Sequence, residues 1–370
     1  MLKKATIALT GAALGVAAAR AFIQRRNTCS LDNKVVLVTG GTRGLGYLLA
    51  EAFAAEGARL AICARDEHEL ERARGQLAHK GVDVFATACD VADREQVEAL
   101  VEEATNHYGR IDIVVNNAGI IQVGPVESLR IEDFEQALGV MYWGVLHTTL
   151  AVLPQMKARG DGQIVNITSI GGKVSIPHLL PYNSAKFAAV GLSEGLGAEL
   201  RKDGIYVTTI VPGLMRTGSY LNALFKGHKA GEFTWFSLGS SLPVISMDAR
   251  RAARQIVSAT KRREPIRVLS IPAQLLALFH ALFPGVTTDI LELVNRFVFP
   301  GPDKTQREPV LGRHAAEEID EPQRQVLDFL TTLGRRAAYR NNQIPAARRL
   351  QEAQVQEAPA SANDGRRRAP

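Results

Sequence analysis

Residues 34–46 read Lys34-Val35-Val36-Leu37-Val38-Thr39-Gly40-Gly41-Thr42-Arg43-Gly44-Leu45-Gly46. The apolar run predicts a buried strand, the glycines predict a turn, and an apolar helical pattern follows. Glycines let the backbone approach a pyrophosphate closely, and the first amides of the next helix attract the anion. A glycine-rich turn between a strand and a helix therefore predicts a dinucleotide site.

Further apolar runs alternate with helical patterns along the chain. They lie near residues 35, 60, 84, 112, 164, 207 and 267. Strands that alternate with helices indicate parallel strands joined by crossover helices. We therefore predict an α/β fold, with a Rossmann-type doubly wound parallel sheet of about seven strands in a single domain.

Three side chains downstream of the glycine turn are the candidate catalytic residues. Tyr182 and Lys186 stand four residues apart, so on a helix they share one face. A nearby ammonium favours the phenolate, so we expect Lys186 to lower the pKa of Tyr182. Ser169 follows the strand-like run 163–168, and its hydroxyl could bond the substrate oxygen that Tyr182 protonates. The tyrosine–lysine spacing alone is common on helices, so its context decides.

In this context the chain resembles the short-chain dehydrogenase/reductase family over roughly residues 32–270. Three more of the family's motifs follow strand-like runs: Cys89-Asp90-Val91, Asn116-Asn117-Ala118-Gly119 and Pro212-Gly213-Leu214-Met215-Arg216-Thr217. The resemblance implies an oxidoreductase that interconverts an alcohol and a carbonyl. It implies Tyr182 as general acid and base, Lys186 bonding the nicotinamide ribose and Ser169 polarising the carbonyl.

The resemblance also implies which residues hold a nicotinamide cofactor. They are Gly40, Thr42, Arg43, Gly44, Leu45, Gly46, Arg65, Asp90, Asn116, Ala118, Gly119, Tyr182, Lys186, Pro212, Gly213 and Thr217. Asp90 is expected at the adenine, and residues 212–217 at the nicotinamide.

Two arginines bear on the choice between NAD and NADP. An NAD-selecting site places a carboxylate near the end of the second strand, where it bonds the ribose hydroxyl. Here Arg65 comes first after that strand and Arg43 lies in the glycine turn. Two guanidiniums suit a 2′-phosphate, so we predict NADP. Asp66 is expected to cap the next helix instead.

One position departs from the family pattern. Many members carry an asparagine three residues before Gly144, and here that residue is Met141. The asparagine helps to hold a water that passes protons to the lysine, and methionine makes no strong hydrogen bond. Met141 therefore leaves open a non-catalytic, NADP-binding sensor or scaffold. An epimerase or dehydratase of the same family is disfavoured because the glycine spacing differs from theirs.

The chain divides by composition into four parts. We predict a hydrophobic N-terminal segment at 1–30, a catalytic domain at 31–270, a helical extension at 271–335 and a disordered basic tail at 336–370. The uncharged run 5–19 fits a cleaved signal peptide, a membrane anchor or an interfacial helix. Membrane association is favoured, with the catalytic domain in the cytoplasm.

Composition bounds the partners. The net charge is +6 in 370 residues, and the three cysteines show neither disulfide nor metal spacing, as in a reducing compartment. We expect no metal and no nucleic-acid partner. The resemblance implies a homo-oligomer, a dimer or tetramer, formed through the helix that bears Tyr182.

The substrate side has no readable motif. Residues 218–245 hold many apolar side chains and, by the resemblance, form a lid over the substrate. They indicate a lipophilic substrate or simple packing on the sheet. The apolar residues 271–299 could cover the cleft, dock on a membrane or seal a subunit interface. His178 and His147 are interpreted as polar residues without a catalytic role.

Overall fold

A computed structural model of the protein describes residues 28–303, 305 and 307–344. The predicted N-terminal segment lies outside the described residues up to position 27. The last part of the predicted basic tail, residues 345–370, also lies outside them.

Within the described residues, a seven-stranded sheet forms the centre of the molecule, with strand order β11-β7-β6-β4-β1-β2-β3 and all neighbours parallel. The seven strands coincide with the predicted apolar runs, so the predicted fold class is confirmed. Their bounds are β1 Val35–Thr39, β2 Arg59–Ala64, β3 Val84–Ala88, β4 Ile113–Asn116, β6 Gly162–Ile167, β7 Ile205–Val211 and β11 Ile266–Val268.

Helices cover both faces of this sheet, because its strands are buried and apolar on both sides. One face is packed by α1 and α8 through side chains such as Leu48, Phe53 and Ile256. The other face is packed through Leu100 and Val152, among others. The helices of this domain are α1 Gly44–Ala54, α2 Glu67–Ala78, α3 Arg94–Tyr108, α4 Ile131–Leu138, α5 Gly144–Arg159, α6 Leu180–Leu200, α7 Lys229–Ser241 and α8 Ala249–Lys261.

The lid segment (residues 218–245) and the end of the chain form a second packed unit on the carboxyl side of the sheet. Its small sheets are built from β5 Gln122–Val123, β8 Met215–Arg216, β9 Leu224–Phe225, β10 Met247–Asp248 and β12 Val310–Leu311. Strand β12 pairs antiparallel with β9 of the lid segment. Tyr220, Phe233, Phe236 and Leu327 are members of its buried apolar cluster.

The predicted helical extension contains α9 Ile271–Leu282, α10 Pro284–Phe297, α11 Gly312–Ala315, α12 Glu321–Leu330 and α13 Thr332–Arg340. Helix α13 crosses the boundary predicted at position 335, and residues 341–344 after it are buried. These residues contact the glycine turn, over 290 positions away in sequence, which composition could not reveal. The proposed division into domains remains a prediction.

Helices α9 and α10 meet at an angle of 119° and leave much of their apolar surface exposed. Together they have the length and composition of a membrane-spanning segment, although the bend interrupts it. Within the described residues, one continuous helical run, Ile131–Arg159, also has such a composition, but it packs into the core beside the sheet.

Candidate active site

The glycine turn lies between the end of β1 and the start of α1. At β1 the order of strands along the sheet reverses, since β2 and β3 lie on one side of it and the later strands on the other. Strand β1 has β2 on one side and β4 on the other, so crossovers leave it in opposite directions. In open parallel sheets, ligands bind outside the carboxyl ends of the strands at such a point. The predicted site residues on β1, β4, β6 and β7 therefore converge at one edge.

Glycine is required in this turn by close approach and by backbone conformation. Gly40 and Gly44 have φ angles of 62° and 57°. A Cβ on Gly46 would lie 2.0 Å from the carbonyl oxygen of Gly40, a distance that no side chain tolerates. The turn thus leaves the first amides of α1 without covering side chains from these glycines, which fits a bound pyrophosphate.

The Asn-Asn-Ala-Gly motif holds the glycine turn. Asn117 Nδ2 donates to the carbonyls of Thr39 at 3.0 Å and Gly40 at 3.1 Å. Thr39 Oγ1 accepts from the backbone amides of Asn117 and Ala118. These bonds explain why both motifs occur together. Asn117, which the sequence analysis left out of the site, is the residue that ties them.

Asn116 ties neighbouring elements of the sheet together. Its Nδ2 donates to Asn166 Oδ1 at 2.8 Å, and its Oδ1 accepts from Thr148 Oγ1 at 2.5 Å. Asn116 is buried by these partners, so its side chain joins β4 to β6 and α5. Its role toward a cofactor stays a prediction.

Ser169, Tyr182 and Lys186 come together as the spacing predicts. Tyr182 and Lys186 lie one turn apart on α6, with the ammonium 5.8 Å from the centre of the tyrosine ring. The Ser169 hydroxyl accepts from the Gly171 amide at 3.0 Å and lies near enough to the phenol to lower the pKa of Tyr182. A side chain on Gly171 would stand 3.2 Å from Tyr182 Cε1, so this glycine keeps space beside the phenol.

The protonation of the pair differs from the expectation. Burial raises the pKa of Tyr182 above its usual value, and the Ser169 hydrogen bond acts in the opposite direction. Burial lowers the pKa of Lys186 to about 8. Lys186 Nζ donates to the carbonyl of Ile167 at 2.8 Å, which orients the lysine. Desolvation is thus the largest influence on the Tyr182 pKa, and it acts against the lowering expected from the sequence.

Met141 is completely buried behind this group. It belongs to a π-helical turn, Gly139–Trp143, between α4 and α5. Its Sδ lies 3.5 Å from the point where a Cβ on Gly119 would stand, so it packs against the Asn-Asn-Ala-Gly motif. Single π-turns inside helices often mark functional sites. This one places Met141, the residue that differs from the family pattern, beside the Asn-Asn-Ala-Gly motif.

The two predicted 2′-phosphate arginines lie at the ends of neighbouring strands, as expected. Arg43 Nη1 is 3.0 Å from Glu69 Oε1, and Arg65 Nη1 is 3.6 Å from Asp90 Oδ2. Both guanidiniums are partly exposed and remain accessible. Asp66 caps α2 by accepting from the Glu69 amide at 2.9 Å, so that expectation is confirmed. The sequence did not predict a role for Glu69, because only the fold brings its carboxylate to Arg43.

The loop after β7 carries Pro212, Gly213 and Thr217. Pro212 accepts from the Ile170 amide at 2.7 Å, which ties this loop to Ser169. Thr217 is buried, and its hydroxyl accepts from the Ser219 amide. The loop therefore lies beside the catalytic group, where the resemblance puts the nicotinamide.

His178 does more than its interpretation as a plain polar residue suggests. Its Nδ1 lies 2.6 Å from Glu232 Oε1, and Trp235 Nε1 donates to Glu232 Oε2 at 2.7 Å. His178 lies in the loop before Tyr182, and Glu232 and Trp235 lie on α7. The contact between His178 and Glu232 therefore joins that loop to the lid segment.

The sequence matches the short chain dehydrogenase family over residues 34–223. The chain belongs to this family. A putative ketoacyl reductase of granaticin biosynthesis from Streptomyces violaceoruber is 41% identical over 185 residues, which are 50% of this chain and 68% of that protein. The family assignment makes the chain an oxidoreductase acting on alcohols or carbonyls, as its relatives are.

Two solved structures of the family share the fold. A short-chain dehydrogenase from Streptomyces avermitilis aligns with a TM-score of 0.61 and 30% identity over 72% of this chain and 98% of that one. A gluconate 5-dehydrogenase from Burkholderia cenocepacia, in complex with NADP and tartrate, aligns with a TM-score of 0.58 and 25% identity. That alignment covers 66% of this chain and 96% of the dehydrogenase.

Proposed function

We propose that this short-chain dehydrogenase interconverts an alcohol and a carbonyl on a lipophilic substrate with NADP(H). The observation that supports this most directly is the group of Ser169, Tyr182 and Lys186 on the same side of the sheet as a turn whose glycines leave no room for a Cβ. The first amides of α1 and the residues 212–217 would hold the cofactor, which supplies the hydride.

The chain's own residues would handle the proton and the carbonyl oxygen. In reduction, Tyr182 gives its phenolic proton to that oxygen, and in oxidation it takes the proton back. Ser169 bonds the same oxygen and stabilises the charge that develops there. Lys186, held by the Ile167 carbonyl, stands one helical turn from Tyr182 and can exchange protons near neutral pH because its pKa is about 8.

The preference for NADP rests on Arg43 and Arg65. Their guanidiniums are partly exposed at the ends of β1 and β2, where the ribose of a dinucleotide is expected. The carboxylate of Glu69, which pairs with Arg43, is a competing feature that could accept a ribose hydroxyl. The similar gluconate 5-dehydrogenase is in complex with NADP, which is consistent with the proposal.

The test measures oxidation of NADPH and NADH by the purified full chain in mild detergent. The panel contains steroid, retinoid, fatty and small aromatic carbonyls, and Tyr182→Phe runs beside the wild type. We expect turnover with NADPH on a lipophilic carbonyl that the substitution abolishes. Turnover on small polar carbonyls alone would contradict the lipophilic part and leave the reaction class standing.

Met141 favours one alternative, a sensor or scaffold that binds NADP without catalysis. Its buried thioether makes no strong hydrogen bond to a proton-relay water, which leaves only a backbone carbonyl of the π-helical turn to hold that water. Tight NADPH binding without turnover on the whole panel would favour this alternative. Met141→Asn, which restores the family residue, would then be expected to create or raise activity.

We also propose that α9 and α10 dock on a membrane surface, with the catalytic domain on the cytoplasmic side. Large apolar side chains are exposed on both helices and at the residue that joins them: Ile271, Leu275, Leu278, Phe279, Leu282, Phe283, Val286, Ile290, Leu293 and Phe297. Exposed apolar surface of this extent marks an interaction site. The free thiols of Cys29, Cys63 and Cys89 are consistent with a reducing compartment.

A homo-oligomer would use another surface. Trp143 at the end of the π-helical turn, Leu150 on α5 and Phe187 on α6 are exposed. Leu150→Glu is expected to shift the mass in solution toward the monomer, whereas Leu278→Glu is expected to lower sedimentation with phosphatidylcholine vesicles. Each variant serves as the other's control, and exchanged effects would contradict both assignments.

A further inference from the structure

The described chain ends in a short buried segment, residues 341–344, which we name the C-terminal strap. Asn341, Asn342, Gln343 and Ile344 are only 3%, 3%, 6% and 8% exposed. Three consecutive carboxamide side chains are costly to bury unless they find hydrogen-bond partners. Their partners lie on the two walls of the cofactor cleft.

One wall is the glycine turn with the helix after β2. The Gly44 amide, at the first turn of α1, donates to the Asn341 carbonyl at 2.7 Å. Asn342 Nδ2 lies 3.4 Å from the Thr42 carbonyl and donates to Gln76 Oε1 of α2 at 2.6 Å. The strap thus lies on the turn that the proposed pyrophosphate site uses.

The opposite wall is the start of the lid segment. Asn222 Nδ2 donates to the Gln343 backbone carbonyl at 2.9 Å and to Gln343 Oε1 at 2.7 Å. Asn341 Nδ2 lies 3.4 Å from the Thr217 carbonyl, in the loop expected at the nicotinamide. The strap therefore bridges the cleft.

These bonds fix the direction of the Gln343 side chain. Because its Oε1 accepts from Asn222, its amino group turns the other way, toward the glycine turn. Nε2 lies 2.5 Å from the point where a Cβ on Gly44 would stand. A nearly buried carboxamide thus directs hydrogen-bond donors to the phosphate-binding turn.

We propose that the strap is part of the cofactor site and retains the dinucleotide, with Gln343 Nε2 as a donor to its pyrophosphate. This inference rests on the proposed cofactor site. The Asn341 carbonyl occupies the Gly44 amide, but the next amides of α1, those of Leu45 and Gly46, have no partner within the helix and are left for the pyrophosphate. Residues 341–343 carry no carboxylate that would repel phosphate, and the Gln343 amino group is a donor that suits its oxygens. The ties to both walls close the cleft at that end.

The test is Gln343→Glu in the full chain, which keeps the shape and replaces the amino group by a carboxylate oxygen. Binding of NADPH is followed by its fluorescence, and binding of adenosine 2′-monophosphate, which lacks a pyrophosphate, by calorimetry. We expect NADPH affinity to fall about tenfold or more, with faster release, and the affinity for the monophosphate to stay unchanged. Gln274→Glu, at an exposed glutamine of α9, is the matched control.

A second variant keeps the inference testable should Gln343→Glu unfold the protein. Asn222→Ala removes the bond that orients Gln343, so a smaller loss in the same direction is expected. Unchanged or tighter NADPH binding in the folded variants would overturn the strap's role, and tighter binding would make it a competitor. A wild-type chain that binds neither NADPH nor NADH would instead refute the proposed function itself.

Discussion

The carboxyl edge of the seven-stranded sheet and the lid segment, with the C-terminal residues packed on it, are built in different ways. At the sheet edge, several site residues stand in short motifs that follow a strand, as Ser169 follows β6, and Tyr182 and Lys186 share one face of the next helix, α6. In the lid, the decisive contacts join residues far apart, such as β9 with β12 and Asn222 with Gln343. A parallel sheet gathers its strand ends by topology alone, whereas the lid needs tertiary packing to acquire any defined place.

This difference separates the proposed catalytic residues, at the sheet edge, from the residues proposed to select the substrate, in the lid segment. In the proposed function, proton transfer and cofactor binding belong to the sheet edge, where the side chains are buried and hydrogen-bonded. Substrate selection is assigned to the lid segment, which packs against the end of the described chain through Tyr220, Phe233 and Leu327. If the two regions are distinct, substitutions at the edge should change kcat or cofactor binding, and those in the lid should change stability.

The largest effect is expected at the rigid edge from Tyr182→Phe. Loss of the phenolic proton should lower kcat by about 10²–10⁴-fold, because general acid catalysis contributes about that much. NADPH affinity should change little. Steady-state kinetics and fluorescence titration measure the two. Tyr206→Phe, which alters a tyrosine of β7 stacked on Arg263, is the control. Equal activity of both variants would remove Tyr182 from the mechanism.

Gly46→Ala tests the close approach at the same edge. The new Cβ would meet the Gly40 carbonyl at 2.0 Å, so the turn must shift. We expect a loss of more than about 2 kcal/mol in NADPH binding or in the free energy of unfolding. Gly75→Ala is the control, since no heavy atom lies within 4 Å of its added methyl group. That change, inside α2, should stabilise by about 0.5–1 kcal/mol.

Gly218→Ala applies the same substitution to the lid. Gly218 has a φ angle of 81°, and a Cβ there would stand 2.4 Å from Ala338 Cα of α13. We expect about 1–3 kcal/mol of destabilisation in thermal unfolding, with early proteolysis of residues after 300. Gly191→Ala on α6, where the methyl group meets open space, is the control. Identical melting of the two variants would mean that the end of the chain does not hold the lid.

Arg43→Ala should change cofactor preference more than overall activity. Removing one charged partner of the 2′-phosphate is expected to lower the NADPH-to-NADH ratio of kcat/KM by about tenfold. Arg94→Ala, which removes an exposed arginine paired with Glu98, is the control. A ratio that rises, or stays constant, would contradict NADP selection by Arg43.

The smallest expected effect is on the pH dependence of the free energy of unfolding. The pKa of Lys186 is lowered to about 8 in the folded protein, so between pH 8 and about 10 the unfolded chain binds more protons. Stability from this group therefore rises with pH through that window, by about 1–2 kcal/mol. Lys186→Met should remove this rise relative to wild type in urea unfolding at pH 8 and pH 10. Lys157→Met, at the end of α5, controls for the loss of an exposed lysine.

Much of the fold and of the edge site could be predicted from sequence. The seven strands of the sheet, the cap at Asp66 and the helical face shared by Tyr182 and Lys186 all follow from local patterns. The predicted direction of the Tyr182 pKa was wrong, because spacing reports which groups are near but not how much water each one loses.

Other parts had no local signal. Glu69 beside Arg43, Glu232 beside His178 and the strap on the glycine turn depend on contacts across long stretches of chain. Composition instead predicted that residues 336–344 belong to a basic tail. The sequence Asn341-Asn342-Gln343 alone predicts exposure to solvent, because it does not show the distant residues that bond these side chains.

The sequence by itself determined the fold class and, through its family motifs, the general reaction class. Hydrophobic periodicity, glycine spacing and one helical turn act over a few residues, so they can be read along the chain. Only the tertiary structure decided which charges pair, how burial moves their pKa values and what closes the cofactor cleft. Those properties depend on distance and desolvation in space, which sequence separation does not report.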